Sequence, residues 1–163
     1  MEADALTKLA TVVGERLTSR GFMLATAESC TGGWVAQAVT SVSGSSNWFE
    51  RGFVTYSNDS KREMLDVRAE TLERHGAVSE ETAREMALGA LAESRAQVAV
   101  AITGVAGPTG GTAEKPVGMV CLGWAQRGGR VDTVTRHFAG NRADVRYQSV
   151  VAALQGVLDR MGD

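Results

Sequence analysis

Near the start of the chain, apolar residues recur at helical spacing, with Leu6, Leu9, Ala10, Val13 and Leu17 on one stripe. Gly21 follows as a left-handed terminator of that helix. Phe22 to Ala27 reads as a short buried strand, and the polar run from Glu28 to Gly33 leads into a helix over Trp34 to Val42. Ser43 to Asn47 is predicted as a loop, since its side chains bond their own backbone. Gly52 to Tyr56 is predicted as a second strand and Asn58 to Leu65 as a short helix. A further short helical piece around Leu72 closes at Gly76. Ser79 then caps a longer helix whose inward face is Ala83, Met86, Ala87, Ala90 and Leu91.

Gln97 to Thr103 alternates clearly as a strand and runs into the glycine-rich loop from Gly104 to Pro116. Val117 to Ala125 and Val131 to Phe138 flank Arg127-Gly128-Gly129-Arg130, a hairpin signal. After Gly140 a final helix turns Tyr147, Val150, Val151, Leu154, Val157, Leu158 and Met161 inward. Strands alternating with helices and then a hairpin imply an α/β fold. The expected form is a three-layer α/β/α arrangement, with a mixed sheet and a C-terminal hairpin followed by a long helix. With 163 residues and no linker-like segment, residues 1–163 are expected to form one domain.

Composition narrows the function. The apolar share of 44% and the charged share of 22% are those of a globular chain. No apolar run reaches the roughly 18 residues of a membrane span, and Met1-Glu2-Ala3-Asp4-Ala5 lacks the features of a signal peptide. A cytoplasmic protein without membrane association is expected. The 17 basic and 19 acidic residues are interleaved, so no basic stripe exists to bind nucleic acid. Cys30 and Cys121 suit a reducing compartment. His75 and His137 lie far apart with no other ligand at metal-binding spacing, and no metal is expected.

Three polar segments each follow a predicted strand, and in open α/β sheets such ends converge on ligand sites. In the first, Ala27-Glu28-Ser29-Cys30-Thr31-Gly32-Gly33, Ser29 stands at a strand-to-helix turn. Its hydroxyl is expected to face unpaired helix N–H groups that favour an oxyanion; helix capping is the plainer reading. In the second, Tyr56-Ser57-Asn58-Asp59-Ser60-Lys61, Ser57 or Asn58 caps a helix and Lys61 falls in its first turn. The helix dipole and burial both lower the pKa of such a lysine, and a neutral amine can accept a proton from Ser29. An exposed lysine is the ordinary alternative. The third, Thr103-Gly104-Val105-Ala106-Gly107-Pro108-Thr109-Gly110-Gly111, offers backbone N–H groups to phosphate or oxyanion but lacks a P-loop ending. Arg142 and Arg146 are candidate phosphate ligands. Cys30 is a rival nucleophile with no histidine near it in sequence.

Together with Gly76-Ala77-Val78-Ser79 and Lys115-Pro116-Val117-Gly118, these motifs resemble the carboxy-terminal domain of the CinA (competence/damage-inducible) proteins, which also occurs as stand-alone nicotinamide-nucleotide amidases. The resemblance runs from the first helix to the last. It implies deamidation of nicotinamide mononucleotide to nicotinate mononucleotide and ammonia, in pyridine nucleotide recycling, without a cofactor. It matches Ser29 to the family's serine and Lys61 to its lysine, with Tyr56 and Thr103 beside them. Substrate contacts are expected from Thr31, Gly32, Gly33, Asn58, Gly104, Gly107, Gly110 and Arg142. Cys30 falls on a variable position. No counterpart of the amino-terminal domain of long CinA proteins is present, so its activity is not carried over. A small pyridine nucleotide is the implied partner, along with a homo-oligomer, a dimer favoured, in which Trp48 and Phe49 serve either an interface or the core. Two rivals stand beside this reading: a non-catalytic nucleotide-binding module, and a cysteine hydrolase built on Cys30.

Overall fold

The computed structural model describes residues 2–161. Its sheet has five strands in the order β2-β1-β3-β4-β5, formed by β1 (Leu24–Glu28), β2 (Phe49–Val54), β3 (Val98–Gly104), β4 (Met119–Gln126) and β5 (Val131–His137). β1 pairs in parallel with both β2 and β3, whereas β4 and β5 run antiparallel. The mixed sheet and the terminal hairpin are as the alternation predicts.

Helices cover both faces. On one side lie α1 (Glu2–Arg20), α2 (Trp34–Thr40) and α6 (Arg142–Met161); on the other lie α3 (Asn58–Leu65), α4 (Ala69–His75) and α5 (Glu80–Ala92). The strands divide their side chains accordingly. Leu24, Val98, Val100, Ile102, Val120, Leu122 and Trp124 face the first group. Ala25, Ala27, Ala99, Ala101 and Ala125 face the second. Small residues on that second face let α5 settle close to the sheet. A Cβ at Gly123 would stand 2.8 Å from the Ala83 carbonyl, so only glycine fits beneath the helix.

Two sequence expectations are corrected, and the open alternative at Trp48 is resolved. β2 begins at Phe49 and ends at Val54, not Gly52 to Tyr56. It is an edge strand, and the charges of Glu50 and Arg51, which hide it in the sequence, pair with each other at its exposed border. Ser45–Asn47 forms a 3₁₀ turn rather than an irregular loop. Trp48 is buried in the core beside α1 and α2, so it is not available to an interface; Phe49 is half-buried. Among the described residues no helix is long and apolar enough to cross a membrane.

Candidate active site

The parallel half of the sheet reverses direction of connection at β1: α2 carries the chain to β2 on one side, and α3 to α5 bring it back to β3 on the other. Such a switch point leaves a crevice at the carboxyl ends of the strands. A cavity of about 300 Å³ opens there, lined by Ser29, Cys30, Tyr56, Asn58, Lys61, Thr103 and Arg142, by Ala77 and Val78, and by the Gly104–Gly110 loop. All three polar segments singled out in the sequence reach it.

Ser29 leaves β1 with its N–H still bonded to Ile102 O of β3 at 3.0 Å, so the turn that follows starts from a fixed point. Lys61 comes from α3, whose start is set by a capping box between Ser57 and Ser60. Its side chain runs inward, and Nζ donates to Ser29 Oγ and to Thr55 O, each at 3.0 Å. Lys61 is 1% exposed and Ser29 8%. Desolvation by burial pushes the Lys61 ammonium below the ordinary lysine range, which favours the neutral amine.

Cys30 lines the same cavity, but among the described residues its thiol has no comparable partner. Burial pushes its thiol up to about 11, so it stays protonated near neutrality and is a poor nucleophile.

Around this pair, Thr103 donates to Ala77 O at 2.8 Å and so ties the end of β3 to the α4–α5 connection. Tyr56 is 64% exposed. Its hydroxyl accepts from Arg142 Nη2 at 3.1 Å, and Arg142 Nη1 donates to Gly107 O at 2.8 Å. Arg142 thereby spans the cavity mouth between two loops, with neutral oxygens as its partners. Lys115 Nζ donates to His75 O and holds the glycine loop against the end of α4.

Several expected contacts fall elsewhere. Thr31, Gly32 and Gly33 do not line the cavity. Thr31 is buried with its hydroxyl on Glu28 Oε1 at 2.7 Å. The Gly32 N–H is taken up by Ser29 O at 3.0 Å, and Gly32 and Gly33 adopt φ of 60° and 106° to turn the chain into α2. Nor does the α2 N-terminus face an oxyanion. Its Val35 and Ala36 N–H groups bond the Glu28 carboxylate at 2.9 and 3.0 Å. Arg146 is not a free phosphate ligand, since it donates to Cys30 O and Thr31 O, both at 3.1 Å, and lies over Trp34. Asn58, Gly104, Gly107 and Gly110 do line the cavity, although Ser57, not Asn58, caps α3.

The sequence motif contains Glu28 but gives it no role of its own. The available signal was a carboxylate at the end of an otherwise uncharged buried strand, a charge that must find partners in the interior.

Fold and site define an α/β protein with a buried serine–lysine pair at a strand-end crevice. The family model for the CinA C-terminal domain matches residues 6–161, and the chain belongs to this family. It is 53% identical over 155 residues to the nicotinamide-nucleotide amidohydrolase PncC of Escherichia coli (strain K12), covering 95% of this chain and 94% of that one. It is 51% identical over 155 residues to the protein of the same name from Pseudomonas putida, covering 95% and 96%. The crystal structure of the competence/damage inducible protein CihA from Agrobacterium tumefaciens superposes with a TM-score of 0.93 at 48% identity, covering 97% of this chain and 96% of that one.

Proposed function

We propose that this chain is an amidohydrolase that deamidates nicotinamide mononucleotide to nicotinate mononucleotide and ammonia, as a step of pyridine nucleotide recycling. The observation that carries the reading is the buried contact of 3.0 Å between Lys61 Nζ and Ser29 Oγ. The names of the relatives support the amide and nucleotide class. In this mechanism neutral Lys61 accepts the Ser29 proton as Oγ attacks the carboxamide carbon. Lys61 returns that proton to the leaving nitrogen, ammonia departs, and the acyl group remains esterified to Ser29. Water, deprotonated by Lys61, then cleaves the ester and restores both residues.

Because the α2 amides are occupied by Glu28, the oxyanion is assigned to the Cys30 N–H, which directly follows the nucleophile and donates to no backbone carbonyl among the described residues. Arg142, whose partners among the described residues are neutral oxygens, is assigned to the substrate phosphate. Tyr56, Asn58, Gly104, Gly107 and Gly110 are assigned to the wall that holds the nucleotide, and Thr103 to the support of the dyad. The enzyme is further read as one cytoplasmic domain that self-associates, a dimer favoured, which sedimentation would test.

The direct test is ammonia release from nicotinamide mononucleotide by the purified protein. Stoichiometric ammonia and nicotinate mononucleotide are expected. Nucleotide binding without ammonia release would replace this reading with that of a non-catalytic binding module.

A further inference from the structure

β1 is buried along its whole length, yet it ends in a carboxylate that is 1% exposed. Glu28 Oε1 accepts from the Thr31 hydroxyl at 2.7 Å and from Val35 N–H at 2.9 Å, and Oε2 accepts from Ala36 N–H at 3.0 Å. Those two amides belong to the first turn of α2, where an N-cap side chain ordinarily serves. The N-cap here is Gly33, which has none. Glu28 therefore caps a helix that begins beyond the nucleophile turn, reaching across that turn to do it. Arg146 donates to the carbonyls of Cys30 and Thr31 in the same turn, each at 3.1 Å.

The main chain of the same residue reaches the other half of the pair. Glu28 O accepts Thr55 N–H at 2.8 Å, and Thr55 O in turn accepts from Lys61 Nζ at 3.0 Å. One residue thus registers the turn bearing Ser29 through its side chain, and the anchor of Lys61 through its backbone.

We infer that Glu28 is a positioning residue for the serine–lysine pair, its carboxylate anchoring the Ser29–Gly33 turn on α2 so that Ser29 Oγ is held at Lys61. The inference rests on the proposed serine–lysine mechanism. Its physical basis is that a displacement of an ångström at a reacting atom costs about 10²-fold in rate. A simple helix cap, by contrast, affects folding and leaves the reactivity of Ser29 alone. Thr31 shares the role through its hydroxyl, which completes the carboxylate's set of donors.

The test compares Glu28→Gln, Thr31→Val and Thr31→Ser with the unaltered protein, well below the Tm of each. One readout needs no knowledge of the natural substrate: the rate at which a small fluorophosphonate labels Ser29, followed by intact mass and peptide mapping. The other is the split between kcat and KM with nicotinamide mononucleotide. Glu28→Gln and Thr31→Val are expected to slow labelling and kcat together by about 10- to 100-fold with KM little changed, while Thr31→Ser restores both. Unchanged labelling and kcat with only a lower Tm would overturn the inference, as would a rise in KM alone. If Glu28→Gln does not fold, the Thr31 pair decides. If the unaltered protein is not labelled at Ser29, the dyad reading itself fails and this inference falls with it. Labelling that is equal in all four proteins sinks only the positioning role.

Discussion

The two halves of the sheet obey different rules. In the parallel half, β2, β1 and β3 all point their carboxyl ends to one edge, and every residue of the serine–lysine site enters from that edge. In the antiparallel half, β4 and β5 alternate direction, so their tight turn at Arg127–Arg130 falls at the opposite edge. β1 and β3 are buried between helices, while β5 is half-buried along most of its length. Polar atoms in the parallel half are consequently tied to one another across elements: Ser29 to Lys61, Glu28 to α2, Thr103 to Ala77. The antiparallel half does mainly structural work. Glu80 at the start of α5 accepts from Thr133 and Thr135 of β5, both at 2.7 Å, and so clips the last strand to the layer beneath. Convergence of strand ends, rather than richness in polar residues, separates a site from a scaffold.

The largest effects that this contrast predicts lie in the parallel half. Ser29→Ala should abolish ammonia release, and Lys61→Arg should lower kcat by about 10²–10⁴-fold, because a guanidinium keeps its proton. Cys30→Ala, one residue from Ser29, should retain most activity, since its raised thiol pKa keeps it protonated. Steady-state assays on all three variants, each checked for an unchanged fold, measure this. Equal losses from Cys30→Ala and Ser29→Ala would dissolve the distinction between the two positions.

A second consequence has the opposite sign for stability. The folded pKa of Lys61 is depressed by burial, so between that value and the unfolded value near 10.4 the unfolded chain binds more protons, and stability rises with pH there. Below the folded pKa the full cost of a buried ammonium is present. Lys61→Met should therefore raise Tm near neutral pH while removing activity, and the gain should shrink as pH approaches 10. A Tm gain that did not change with pH would contradict burial as its cause.

Much of this division was legible in the sequence, though unevenly. The hairpin, the α3 bounds and the Ser79 cap are local signals, carried by turn residues and periodicity, and the structure has them where the pattern puts them. The sequence pattern places β2 too late because its pairing is with a strand more than twenty positions earlier, and its charged border reads as loop. The three loops were legible as strand ends, but which of their atoms are free was not. Thr31 and Gly32 read as ligand contacts until Glu28 and Ser29 O are seen to occupy their donors. Arg146 likewise reads as a phosphate ligand until α6 docks and sets it on the Cys30 and Thr31 carbonyls. The Arg146 outcome depends on contacts more than a hundred residues apart in sequence, which periodicity does not encode.

The smallest predicted effect sharpens the scaffold side of the contrast. Glu80→Ala should lower stability by about 1 kcal/mol, or roughly 2–4 °C in Tm, with kcat and KM unchanged. Hydrogen bonds from Thr135 and Thr133 hold the Glu80 carboxyl below its usual range. Its contribution is therefore full above the unfolded carboxylate pKa and is lost as pH falls through the lower folded value. The Tm gap between the two proteins should close in acid. A fall in kcat would mean that the antiparallel half takes part in the chemistry.

The proposed mechanism requires Ser29 to carry the acyl group between the two half-reactions. Rapid acid quenching of the enzyme during turnover of nicotinamide mononucleotide, followed by peptide mapping by mass spectrometry, examines it directly. An adduct of the substrate's acyl mass is expected on the peptide containing Ser29, absent from Ser29→Ala and assigned by fragmentation to the serine oxygen rather than the neighbouring sulfur. An adduct on Cys30, or steady ammonia release by Ser29→Ala with no adduct on either residue, would contradict it.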